Sequence, residues 1–111
     1  MSYEDPTRVI HDVLARAIKD DIKLIDFYPD EKRIVLSVNG EEEDFCSPLE
    51  AELYRQATLR LELMSGADIS SPANETRYGR IRFPKDGVNY DFEVHCSLSD
   101  SERHVALKRI H

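Results

Sequence analysis

The sequence predicts an α+β fold, an antiparallel sheet with two amphipathic helices packed on one face. Three observations lead there. Between Arg77 and Ser97 the residues alternate with period two: Ile81 and Phe83 against Arg80, Arg82 and Pro84, then Val88, Tyr90, Phe92, Val94 and Cys96 against Asn89, Asp91, Glu93 and His95. Lys85-Asp86-Gly87 interrupts that alternation with a turn in which glycine takes positive φ, so the stretch folds back as a hairpin with one dry and one wet face. Two other stretches repeat apolar residues at helical spacing, which is what a one-sided sheet needs as a cover.

Taken in order, Met1 to Glu4 is expected to be a loose tail. Asp5-Pro6 then offers an N-cap acceptor and a proline in the first helical turn, where a missing N–H costs nothing. Val9, Ile10, Val13, Leu14, Ala17 and Ile18 form the apolar stripe of the first helix, opposite Arg8, His11, Asp12, Arg16 and Lys19. Asp20-Asp21 ends it. Ile22 to Tyr28 is rich in β-branched and aromatic residues and reads as a strand buried partly on both faces. Pro29-Asp30-Glu31-Lys32 is a turn. Arg33 to Val38 is the second strand, with Ile34, Leu36 and Val38 on one face, and Asn39-Gly40 closes it with a two-residue hairpin signal. The acidic run Glu41 to Asp44 is either a solvated loop or the exposed start of a strand.

Ser47-Pro48-Leu49-Glu50 has the spacing of a capping box, so the second helix is expected to begin there and run to about Ser65, with Gly66 as its C-terminal cap. Its predicted stripe is Leu49, Leu53, Ala57, Leu61 and Met64, flanked by Leu59 and Leu63. Ala67 to Thr76 has no period and reads as a loop into the hairpin. Leu98 to Glu102 reads as a polar turn, and Arg103 to Ile110 as a last strand with Val105, Leu107 and Arg109 on one face.

Composition narrows the function. The 111 residues suit one domain, 1–111, and 41% apolar with 33% charged residues is a globular balance rather than a disordered one. No apolar run approaches a membrane span or a signal-peptide core, so the expected location is the cytoplasm and no membrane insertion is expected. A formal net charge of -7 disfavours nucleic acid and anionic lipid, both of which call for a basic footprint, and leaves a protein as the expected partner. Cys46 and Cys96 are too far apart in sequence for a metal knuckle or a CxxC pair and read as two reduced thiols.

Little in the chain points to chemistry. His95 and Cys96 alternate onto opposite faces, so they make a poor dyad, and Cys96 reads as a packed core thiol. His11, His95, His104 and His111 show no ligand spacing on one element, and no metal or other cofactor is expected. Asp91 and Glu93 read as solubilising charges facing Arg80 and Arg82 across the hairpin.

The order of elements, with particular words inside it, resembles the N-terminal, PAS-like domain of the ATPases of bacterial type II secretion and type IV pilus systems. The likeness covers nearly the whole chain: Ala17-Ile18, Asp21-Ile22, Val38-Asn39-Gly40, Met64-Ser65-Gly66-Ala67-Asp68-Ile69, Gly79-Arg80-Ile81, Tyr90-Asp91-Phe92 and Glu102-Arg103-His104-Val105-Ala106-Leu107-Lys108. The family's D-I-H-x-E is here Asp21-Ile22-Lys23-Leu24-Ile25. Its R-x-R-x-D-G is Val35-Leu36-Ser37-Val38-Asn39-Gly40, its P-Q-D-G-R is reduced to Thr76-Arg77-Tyr78-Gly79-Arg80, and one of its arginines is Glu93. In the family those arginines reach nucleotide phosphates on the ATPase core, a task for a permanently charged, planar guanidinium that Val35, Ser37 and Glu93 cannot perform. No G-x-x-x-x-G-K-[ST] phosphate loop occurs either.

The resemblance implies a non-catalytic protein-interaction module that binds a secretion-type ATPase core or itself. The alternatives are a small-ligand or nucleotide-sensing PAS-like domain, or a fragment of a full-length secretion ATPase. Contacts are expected through the wet face of the hairpin and the 67–76 loop, with Arg77, Arg80 and Arg82 as candidate partner or phosphate contacts.

Overall fold

The computed structural model describes residues 3–66, 77–99 and 102–110, and the side chains of Arg77, Leu98, Ser99 and Glu102 lie outside the described set, as does the 67–76 loop. The elements follow in the order α1 (Pro6–Lys19), β1 (Leu24–Tyr28), β2 (Arg33–Val38), β3 (Glu41–Asp44), α2 (Ala51–Ser65), β4 (Arg77–Lys85), β5 (Val88–Ser99) and β6 (Glu102–Arg109). Six strands make one sheet in the order β3-β2-β1-β6-β5-β4, and every neighbouring pair is antiparallel. Both helices pack on one face of it, as the patterning predicts.

α1 begins as the sequence indicates. The Asp5 carboxylate accepts from the Thr7 N–H at 2.9 Å and Pro6 opens the first turn. Its buried face is Val9, Ile10, Val13, Leu14 and Ala17. The chain before it is not loose throughout: the Tyr3 ring stacks on Phe45 with centroids 6.1 Å apart, and its hydroxyl donates to Asp12 at 3.0 Å. β1 starts at Leu24 rather than Ile22. The Ile22 N–H is bonded to the Ala17 carbonyl at 2.8 Å and Asp21 takes φ 55°, so these two residues form the helix exit, while the Ile22 side chain still enters the core.

Both predicted hairpin turns form, with Asn39 and Gly40 at φ 52° and 84° and Asp86 and Gly87 at φ 52° and 80°. Positive φ at both central positions is the geometry that matches the twist of the flanking strands. Glu41 to Asp44, for which the sequence allows either a loop or a strand, pairs with β2 as an exposed edge. Where the sequence suggests a polar turn over 98–102, Leu98 and Ser99 instead pair with Arg103 and Glu102, while residues 100 and 101 lie outside the described set.

α2 departs from its sequence reading at the start and on its face. The Leu49 N–H is bonded to the Lys32 carbonyl at 3.0 Å, which holds that part of the expected cap against the β1–β2 turn. Helix therefore begins at Ala51 after Glu50, without a side-chain cap. Leu49, Leu53, Ala57 and Leu61 are buried, but the buried face continues through Tyr54, Thr58, Glu62 and Ser65, while Leu63 and Met64 are 56% and 50% exposed. Polar residues occupy that face because each finds a partner there. Thr58 Oγ1 donates to the Tyr54 carbonyl at 2.9 Å, Ser65 Oγ to the Glu62 carbonyl at 2.8 Å, and Arg103 Nε to Glu62 Oε2 at 3.2 Å. A buried polar group that is bonded costs far less than one that is not.

The core lies between helices and sheet. Phe27 and Phe92 are its largest fully buried side chains, joined by Ile25, Ile34, Leu36, Val94, Cys96, Val105 and Leu107 from the strands. Each large apolar side chain removed from water contributes about 1.5–3 kcal/mol before entropy is counted. The Tyr54 hydroxyl lies 2.9 Å from the Phe27 carbonyl and 2.6 Å from the Arg103 carbonyl, so its one proton is shared between β1 and β6.

Candidate functional site

Among the described residues no element covers the sheet face opposite the helices. Alternation sends to it Asp26 and Tyr28 of β1, Arg33 and Val35 of β2, Glu42 and Asp44 of β3, Tyr78, Arg80 and Arg82 of β4, Asp91, Glu93 and His95 of β5, and His104 of β6. Several of the charges on it are matched locally. Arg33 Nε donates to Asp44 Oδ1 at 2.9 Å and Arg82 Nε to Asp91 Oδ1 at 3.1 Å, the latter across the hairpin as its alternation indicates. His104 Nε2 lies 3.3 Å from Asp26 Oδ1, and its ring stacks on Tyr28 with centroids 5.2 Å apart and planes 14° apart. His95 hydrogen-bonds Glu93 and meets the ring of Tyr78 edge-on at 4.7 Å.

These contacts shape the local electrostatics. The hydrogen bond from His95 holds the Glu93 carboxyl below its usual value, with smaller help from the charges of Lys108 and Arg80. Burial raises the Tyr28 hydroxyl, and the carboxylates of Asp26 and Glu42 raise it further. The face therefore carries small, neutralised charge pairs between aromatic rings, with Glu42 and Arg80 outside those pairs.

Arg80 and Arg82 both stand exposed on this face, as expected. Arg77 pairs with Cys96 in the β4–β5 ladder, but its side chain and the 67–76 loop lie outside the described residues. His95 and Cys96 face opposite ways, with Cys96 1% exposed. The half-buried Cys46 thiol is pushed up, first by burial and then by the Asp44 carboxylate, which disfavours the thiolate. No group of three or more His, Cys, Asp or Glu side chains among the described residues is arranged to hold a metal ion. No helix among them is long and apolar enough to cross a membrane.

Two features escaped the sequence reading. The Tyr28–His104–Asp26 cluster requires knowing that β1 pairs with β6, which no local pattern reveals, although alternation does put Asp26 with Tyr28 on one face. The buried Glu62 with Arg103 leaves no mark in the leucine spacing of α2. Tyr90 and Cys96 are joined on the helix-covered side by Arg109, which stacks over the Tyr90 ring at 5.3 Å and reaches Asp21 through Nη1 at 2.9 Å.

An α+β domain with a helix-covered sheet and one open sheet face is thus the class defined by this architecture. Solved structures of ATPases contain the same fold. The ATPase DotB of Legionella pneumophila superposes with a TM-score of 0.73 at 16% identity, covering 99% of this chain and 31% of that one. DotB of Yersinia pseudotuberculosis gives 0.70 at 12% identity, with the same coverage of 99% and 31%. The chain thus spans about a third of the length of these ATPases, and at such identities the likeness is one of fold. No family model matches the chain, and no curated protein matches it.

Proposed function

We propose that this chain is a non-catalytic protein-interaction module related to the PAS-like N-terminal domain of secretion and pilus ATPases. Its partner is a secretion-type ATPase core or a second copy of itself. The sequence resemblance to that family and the fold likeness to DotB over 99% of the chain support the same reading. The observation that carries the binding role is the open sheet face, whose exposed Arg80 and Arg82 sit at one end of a belt of rings and paired charges.

The same face argues against phosphate as the ligand. Arg80 is opposite Glu93 and Arg82 is bonded to Asp91, so an approaching triphosphate meets carboxylates as well as guanidiniums. Calorimetric titration with ATP and Mg²⁺ is expected to show no saturable binding, and immobilised chain is expected to retain a purified secretion-type ATPase core. Saturable ATP binding with amide shifts at Arg80 and Arg82 would replace the interaction module by a nucleotide sensor.

A further inference from the structure

The six-stranded sheet ends in two strands with no further partner among the described residues, and the two carry opposite charge. At one end β3 is Glu41-Glu42-Glu43-Asp44, all four residues exposed. At the other, β4 carries Arg77, Arg80, Arg82 and Lys85 over nine residues. An edge strand presents a row of backbone N–H and C=O groups to any strand laid beside it. Charge decides which strand that can be. Two β3 edges would oppose carboxylates and two β4 edges would oppose guanidiniums, and like charges directly across a strand pair repel. The unlike edges attract.

Strand direction and pleat agree with the charges. All five pairings are antiparallel, so the outermost two of six strands also run opposite ways. Laying β3 of one copy beside β4 of another continues the alternation, with the helices of both copies on the same side. Glu42 and Asp44 pair with Ser37 and Val35, while Arg80 and Arg82 pair with Glu93 and Asp91, so all four belong to the open face. A register that sets Asp44 opposite Arg80 and Glu42 opposite Arg82 brings two opposite-charge pairs into line. Glu42 and Arg80 form no ion pair with another described residue, whereas Asp44 is shared with Arg33 and Arg82 with Asp91.

We propose that this chain assembles head to tail with copies of itself, the acidic edge β3 of one copy adding to the basic edge β4 of the next. The proposal rests on the interaction-module reading and names a second copy as the partner. Such a contact uses different surfaces on the two copies, so it does not stop at a dimer but closes as a ring or extends.

The test is the solution mass of the full chain by sedimentation equilibrium, for wild type and two charge-reversed variants, R80E/R82E and E42K/D44K. Wild type is expected to grow with concentration past twice the chain's 12.8 kDa. Salt at about 0.5 M, which screens exposed charges within a few ångströms, is expected to dissociate it. On the open face, where Glu42, Asp44, Arg80 and Arg82 lie, each variant alone carries edges of matching sign and is expected to stay monomeric. An equimolar mixture restores complementary edges and is expected to recover the assembly, which excludes misfolding as the cause of either loss.

A mixture that stays monomeric, or a wild type monomeric up to roughly 1 mM, overturns the proposal. If wild type is monomeric yet retains a secretion-type ATPase core, and R80E/R82E does not, the edge-to-edge contact is wrong and the interaction-module reading stands. Failure of self-association and of core binding together overturns both.

Discussion

Replacing Gly79 by alanine tests the seating of α2 on the edge strand that carries Arg80 and Arg82. A Cβ at Gly79 would lie 2.5 Å from the Ser65 carbonyl oxygen and 2.6 Å from both Ser65 Cβ and Oγ. Relaxed contacts between carbon atoms fall at about 3.5–4.0 Å, so strand and helix end must separate by on the order of 1 Å. The nearest atom is main chain and cannot rotate away. Two effects oppose each other. Alanine restricts the unfolded chain, which favours folding by about 0.4–1 kcal/mol, while forcing atoms into a packed contact costs about 1–3 kcal/mol. With main chain as the nearest clashing atom the cost lies at its upper end, and the expected net loss is about 2–2.6 kcal/mol. At an unfolding entropy of about 2.1 cal/mol/K per residue, that lowers Tm by about 9–11 °C for a chain of this length. Thermal unfolding followed by circular dichroism measures it. An unchanged or higher Tm would refute the close approach. So would strict additivity with Ser65→Gly, because that change removes two of the three clashing atoms and must lessen the penalty in the double variant.

Leu61→Ala is expected to cost about 2–5 kcal/mol and Met64→Lys less than about 0.5, as urea midpoints will show; equal losses would return the apolar stripe to where leucine spacing draws it. Tyr54→Phe takes one donor from two carbonyls on neighbouring strands and is expected to cost about 1–2 kcal/mol, with faster amide exchange along the β1–β6 ladder. Burial, then the hydrogen bond to Asp12, pushes the Tyr3 hydroxyl from 10.0 up to about 12. The folded state therefore keeps that proton longer, so this stabilisation is complete below pH 10, disappears as pH rises through about 12, and is absent in Tyr3→Phe, as stability measured across that range will report. Glu93 runs the other way. Its lowered value gives stability above the ordinary 4.5 that is lost as pH falls through the folded value, and Glu93→Gln is expected to remove that part of the acid limb in the same titration.

Elements with a local cause could be read from the chain, and those with a distant cause could not. Asp5-Pro6, Asn39-Gly40, Asp86-Gly87 and the alternation from Arg80 to Cys96 each act within a few residues, and each forms as expected. The start of α2 depends on a bond from Leu49 to Lys32 in a turn far up the chain, and the face of α2 depends on Arg103 lying where Glu62 can meet it. The open face divides the same way. Arg80 and Arg82 opposite Glu93 and Asp91 follow from one hairpin, while the stacking of His104 on Tyr28 follows from a pairing between the first strand and the last.

That pairing has a consequence for how the chain folds. β1, β2 and β3 come from before α2, and β4, β5 and β6 from after it, so the sheet is two three-stranded meanders that meet within it at one ladder, Leu24–Phe27 with Val105–Lys108. Each meander closes short loops and is expected to form early, whereas the ladder closes the longest loop in the sheet and is expected to form late. The Tyr54 hydroxyl stands across that seam. A chain cut between Gly66 and Arg77 would divide the sheet along its own joint, into one piece with both helices and three strands and another with the remaining three. Their recombination would then report directly on the slow step of folding.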